Sequence, residues 1–146
     1  TVQGIFNLTK GTFDDNGKTV YVAGNITNSG THISTPGTGV IQLNGTVVQT
    51  IGGDGSGIFN NLELYNTNAS SAPDSLTSNM TINGKLTFLN DKLFNINTYN
   101  LKLDSLATIV NAGSNRYIQT TGTLGDGGIT KVYASSDPLF LQASSC

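Results

Sequence analysis

The stretch Val20-Tyr21-Val22-Ala23-Gly24-Asn25-Ile26 places apolar residues at every second position around a glycine, and the same arrangement returns down the chain. It recurs as Ile41-x-Leu43-x-Gly45-x-Val47, Leu62-x-Leu64-x-Asn66, Met80-x-Ile82-x-Gly84-x-Leu86, Leu101-x-Leu103-x-Ser105-x-Ala107 and Ile118-x-Thr120-x-Gly122-x-Leu124. The units start at 20, 41, 62, 80, 101 and 118, at intervals of 21, 21, 18, 21 and 17 residues. Alternation of this kind reads as a strand with one buried face, and the Gly, Asn or Ser that follows tolerates the backbone angles of a tight turn.

A period near twenty residues without helical spacing predicts a coil of short strands in which no coil buries its apolar side alone. The expected fold is all-β, a right-handed parallel β-helix (solenoid) of about six coils, each built as strand, bend, strand. Val20, Ile41, Leu62, Met80, Leu101 and Ile118 are expected to form one inward ladder, with Val22, Leu43, Leu64, Ile82, Leu103 and Thr120 beside it. Coils about 4.8 Å apart would make six of them a rod on the order of 29 Å long. The intervening residues, Tyr21, Gln42, Glu63, Thr81, Lys102 and Gln119, are expected to face solvent, as are Ala23, Asn44, Tyr65, Asn83, Asp104 and Thr121. A β-sandwich is the alternative, but it does not require the same turn residue at a near-constant interval. Leucine-rich repeats share the period and lack this pattern.

The 146 residues suit one domain, 1–146, with its own core. Charged residues make up 11%, against about 25% in an average protein, and glycine with Asn, Ser and Thr fills the difference, as in an extracellular β-protein. Seven basic and nine acidic side chains give a net charge of −2 without clustering, so neither nucleic acid nor an anionic membrane finds an electrostatic footprint. No apolar run reaches the roughly 18 residues of a membrane span, and no membrane insertion is expected. The chain starts at Thr1 rather than Met and reads as a processed product, a fragment or an excised region. The lone cysteine, Cys146, excludes an internal disulfide and is read as an interchain link, a free thiol or a residue without function.

No residue set stands out for catalysis, cofactor or metal binding. Asp14-Asp15-Asn16-Gly17 lacks the acidic spacing of a calcium loop and reads as an Asx-type hairpin turn. His32, the only histidine, is expected in a surface loop. Gly52-Gly53-Asp54-Gly55-Ser56-Gly57 matches no phosphate-cradling motif and is expected to form a corner of the coil. Residues 66–74 break the apolar pattern and read as a surface loop, the kind of segment that carries binding on solenoids. Leu86, Phe88, Leu93, Phe94 and Ile96 are expected to be the best-packed part of the core, and Ile129 to Tyr133 with Leu139-Phe140-Leu141 a cap on the last coil. Glu63, Asp91 and Asp104 do not line up beside basic partners as a lyase or hydrolase would require, so the chain is read as not an enzyme. A Thr ladder suited to ice is interrupted at Val48 and Ala69. Tyr21, Tyr65, Tyr99 and Tyr117 are scattered candidates for stacking on sugars.

Gly57-Ile-Phe-Asn-Asn-Leu-Glu-Leu-Tyr-Asn66, Leu76-Thr-Ser-Asn-Met-Thr-Ile-Asn-Gly-Lys-Leu-Thr-Phe88 and Asn100-Leu-Lys-Leu103 resemble the coils of repetitive secreted surface proteins of Bacteroidetes bacteria. That resemblance covers about Gly39 to Tyr133 and departs from the family at residues 66–74. It implies a surface-attached, often adhesin-like β-solenoid. Proteins of those bacteria carry O-glycans at Asp-Ser/Thr-aliphatic triplets, which makes Ser75 in Asp74-Ser75-Leu76 and Ser105 in Asp104-Ser105-Leu106 the candidate modification sites. The resulting expectation is a non-enzymatic extracellular structural or adhesive rod, a stalk segment or a filament subunit stacking end to end. The alternative is a carbohydrate- or ice-binding module that uses one flat face. Expected partners are further copies, neighbouring domains of the same surface protein, or surface glycans.

Overall fold

The computed structural model describes residues 1–68 and 72–134, and every strand in it pairs in parallel with strands of the adjacent turns. The first turn holds β1 (Phe6–Leu8), β2 (Thr12–Asp14) and β3 (Thr19–Val22), and the second β4 (Ile26–Asn28), β5 (Thr31–Ile33) and β6 (Val40–Leu43). β7 (Thr50–Gly52), β8 (Ile58–Phe59) and β9 (Leu62–Leu64) make the third, and β10 (Asp74–Leu76), β11 (Met80–Ile82) and β12 (Lys85–Phe88) the fourth. The fifth contains β13 (Phe94–Asn97), β14 (Asn100–Leu103) and β15 (Thr108–Val110), and β16 (Ile118–Thr120) and β17 (Gly128–Lys131) begin a sixth. The chain is a parallel β-solenoid of five full turns and part of another. Each turn carries three strands rather than two.

The strands stack into three sheets, β3-β6-β9-β12-β15 (sheet A), β1-β4-β7-β10-β13-β16 (sheet B) and β2-β5-β8-β11-β14-β17 (sheet C). Val20, Ile41 and Leu62 do lie over one another, but the next rungs are Leu86 and Ile109. Met80 and Leu101 pair with each other in sheet C, and Ile118 pairs with Phe94 in sheet B. The second expected ladder divides in the same way, since Val22, Leu43 and Leu64 continue to Phe88 while Ile82 meets Leu103. Three strands per turn share one apolar-x-apolar signature, so the intervals of 18 and 17 residues are steps between sheets and not full turns.

Eighteen apolar side chains of the described residues form one buried cluster along the axis, among them Phe59, Phe88 and Phe94 without exposure. Each Val, Leu, Ile, Met or Phe among them contributes roughly 1.5–3 kcal/mol against the entropy of ordering the turns. Leu86, Phe88, Phe94 and Ile96 belong to that core as expected, whereas Leu93, expected with them, is only half-buried and outside it. Corners are tight enough to exclude a side chain. A Cβ on Gly45 would lie 2.6 Å from the Ala23 carbonyl, and one on Gly84 2.5 Å from that of Asn60. Residues 53–57 turn the corner between β7 and β8, with Gly53 and Gly55 at φ of 149° and 92°.

Expectations about exposure need correcting. Gln42, placed in a solvent-facing row, is only 8% exposed because it lies between Tyr21 and Glu63 in the stack and donates from Nε2 to Glu63 Oε2 at 2.8 Å. Residues 66–74 are not simply a surface loop, since Asn66, Asn68 and Asp74 are buried. The proposed cap segment Leu139-Phe140-Leu141 and Cys146 lie outside the described residues, while β17 continues sheet C against β14.

Candidate functional site

Three polar arrangements are built into this apolar frame. The first is in the core. Parallel stacking puts His32 of β5 directly over Phe13 of β2, with Phe59 of β8 on its other side at a ring separation of 6.3 Å. His32 is therefore not a surface-loop residue, being 1% exposed, and its Nε2 donates to the buried Asp15 Oδ2 at 2.8 Å. Asp15 Oδ1 accepts from the Gly17 amide at 2.9 Å, and Asp14 Oδ1 accepts likewise from Asn16. Residues 14–17 do form Asx turns, but they join parallel sheets at a corner instead of closing a hairpin. Gly39 covers the pair, since a Cβ there would sit 2.0 Å from Asp15 Oδ1.

The second arrangement fills the corner between sheets A and B. Gln49 Oε1 accepts from the Gly45 amide at 2.8 Å and from Asn66 Nδ2 at 2.9 Å, and Asn90 Nδ2 donates to the Asn66 carbonyl one turn on. Lys92 Nζ reaches the Asn68 carbonyl at 3.0 Å, and Asp74 Oδ1 accepts from the Gln49 amide at 2.7 Å. Stacked amides thus close the carbonyls and amides that the bend takes out of the sheets.

Burial pushes the Asp74 carboxyl up to about 6, against the opposing pull of the Gln49 amide and the Lys92 ammonium. A carboxyl raised from 3.8 to about 6 by folding binds more protons folded than unfolded between those values. Its contribution to stability therefore falls as pH rises from about 4 to about 6 and then levels off. Asp74→Asn keeps the acceptor for Gln49 and removes this titration. Thermal melts of both chains from pH 4 to 7.5 should show the difference in midpoint moving in the variant's favour up to about pH 6. A difference constant across that range would contradict the raised carboxyl.

The third arrangement opens on the side of the solenoid. The corner from sheet C to sheet A takes residues 60–61 in the third turn and 83–84 in the fourth, but 34–39 in the second. That longer loop stands over the outer face of sheet A and is pinned there. Asn61 Nδ2 donates to the Gly37 and Gly39 carbonyls at 3.2 and 2.8 Å, the Gly39 amide donates to Ser34 Oγ at 2.6 Å, and the Thr35 amide to Asp14 Oδ1 at 3.0 Å. Between loop and sheet lies a groove of about 240 Å³ lined by Gly37, Thr38, Val40, Asn61, Glu63, Lys85 and Thr87. Asn61 is committed on both ends, because its Oδ1 also accepts from the Lys85 amide at 3.0 Å.

The candidate modification sites fall in unlike places. Ser105 is exposed on the turn after β14, beside Leu106 at 84% exposure, whereas Ser75 is half-buried in mid-strand on β10, a central strand of sheet B. Glu63 belongs to the groove, Asp91 pairs with Arg116 at 3.3 Å, and Asp104 sits at the β14 corner, so the three acids do not converge. Among the described residues no group of three or more His, Cys, Asp or Glu could hold a metal ion. Fold and groove together define a β-solenoid repeat protein with a lateral polar cleft. No family model matches the chain, and no curated protein or solved structure matches it either.

Proposed function

We propose that this chain is a non-enzymatic structural or adhesive element of an extracellular cell surface, a rigid stalk segment or filament subunit that stacks end to end. The observation supporting this reading is that apolar residues on the first and last described strands are only partly covered. Ile109 and Ile129 occupy inward-column or edge-strand positions at 37% and 47% exposure, and Phe6, Phe13 and Val20 are only partly buried at the other end. Strand edges with apolar residues behind them are templates for a further turn. The continuation is another copy or a neighbouring domain of the same surface protein.

Negative-stain images of the isolated chain at rising concentration should show strings whose width stays that of one solenoid. Discrete particles of constant length at every concentration would count against end-to-end assembly. Ser105, and less accessibly Ser75, are the O-glycosylation positions in this reading. Intact mass of the chain from its native source should then exceed the bare 15.2 kDa.

A further inference from the structure

We propose that the cleft between the 34–39 loop and the outer face of sheet A binds one pyranose ring of a glycan. This deepens the adhesive part of the reading above but rests on the groove alone, so it holds for a single solenoid as well as for an assembly. The cleft is constructed rather than incidental. It exists because one corner of the second turn is four residues longer than the same corner in the third and fourth turns, and four hydrogen bonds hold that loop in place.

The groups facing the cleft select the ligand class. Glu63 lines the cleft and accepts from Gln42 through Oε2. Lys85 lines the same cleft, yet no ion pair joins its ammonium to Glu63. A lone cation would meet the Lys85 charge, and a phosphate or other anion would meet that of Glu63. Sugar hydroxyls suit both, since each donates one hydrogen bond and accepts others, and adjacent hydroxyls can donate to the carboxylate while accepting from the ammonium. Thr38 and Thr87 add hydroxyls at the rim, and the buried Val40 provides an apolar floor for the C–H face of a ring. The volume of about 240 Å³ is below that of sites for drug-sized ligands and fits one ring. A ligand of that size is expected to bind with a dissociation constant on the order of 1 mM.

The test is an amide chemical-shift titration of the isotope-labelled chain with methyl glycosides of the common neutral hexopyranoses and with the corresponding uronates, alongside free glycine. At least one neutral glycoside should give saturable shifts at Gly37, Thr38, Glu63, Lys85 and Thr87. Glu63→Gln and Lys85→Met should each weaken it roughly tenfold, and Lys102→Met, on the exposed face of sheet C, should leave it unchanged. Both groove variants change solvent-accessible side chains, and spectra matching the parent away from the cleft will show that the fold is kept. Saturation by uronates alone, lost with Lys85→Met, would show an anion site and overturn the selection of neutral hydroxyls argued from Glu63. The proposal is overturned if no saccharide saturates, if shifts fall elsewhere or ignore the two variants, or if glycine binds there and no saccharide does.

Discussion

His32→Leu is expected to destabilise the fold by about 3–5 kcal/mol, because it leaves the Asp15 carboxyl without its side-chain partner in a site that water does not reach. Both side chains are fully buried, and Phe13 and Phe59 flank the imidazole from adjacent turns. Against a total stability of about 5–15 kcal/mol, that loss is enough to unfold a marginal chain at moderate temperature. Combining His32→Leu with Asp15→Asn should recover part of it, since an amide costs less to bury than a carboxylate and still accepts from Gly17. Chemical denaturation of the two single variants and the double variant measures the coupling. A loss below about 1 kcal/mol for His32→Leu would mean that the Asp15 carboxyl finds water or another donor once the imidazole is gone.

A loss of similar size is expected for Phe88→Ala, about 3–5 kcal/mol, from the cavity left behind a fully buried ring. Phe88 follows Leu64 in the inward column of sheet A, in the fourth of five full turns. In a stack whose turns touch only their neighbours, the damage should be graded along the axis. Hydrogen exchange is expected to accelerate most in β9, β12 and β15 and least in β1 and β2. Leu106→Ala, at 84% exposure, should stay within about 0.5 kcal/mol of the parent. Uniform loss of protection through all turns would argue for a single cooperative core.

The solenoid was legible because period-two alternation and corner glycines are local signals, and Val20, Ile41 and Leu62 do stack as their spacing implies. The later rungs were not. Met80 and Leu86 both head apolar-x-apolar strands, and only pairing across turns shows that Leu86 is the one above Leu62. His32 shows the same limit from the polar side. Thr31-His32-Ile33 has no apolar alternation to betray an inward residue, and the burial becomes evident only when Phe13 and Phe59 are found on either side. A nearby acid, Asp15, was the available hint. The buried amides Asn66 and Asn68 were hidden likewise, since Asn in a polar stretch reads as loop until the corner above and below is known. The groove was hidden in the same way, because its loop belongs to one turn while Glu63 and Lys85 reach it from the next two turns and are 22 residues apart in sequence.

Parallel register is the feature from which the columns, the buried His32 and the lateral cleft all follow. Methyl-to-methyl nuclear Overhauser contacts in the labelled chain test it directly, because neighbouring rungs lie about 4.8 Å apart. An unbroken series Ile41 to Leu62 to Leu86 to Ile109 is expected, together with Met80 to Leu101. Contacts of Leu62 with Met80 in place of Leu86, or cross-strand patterns of antiparallel pairing, would contradict the stack.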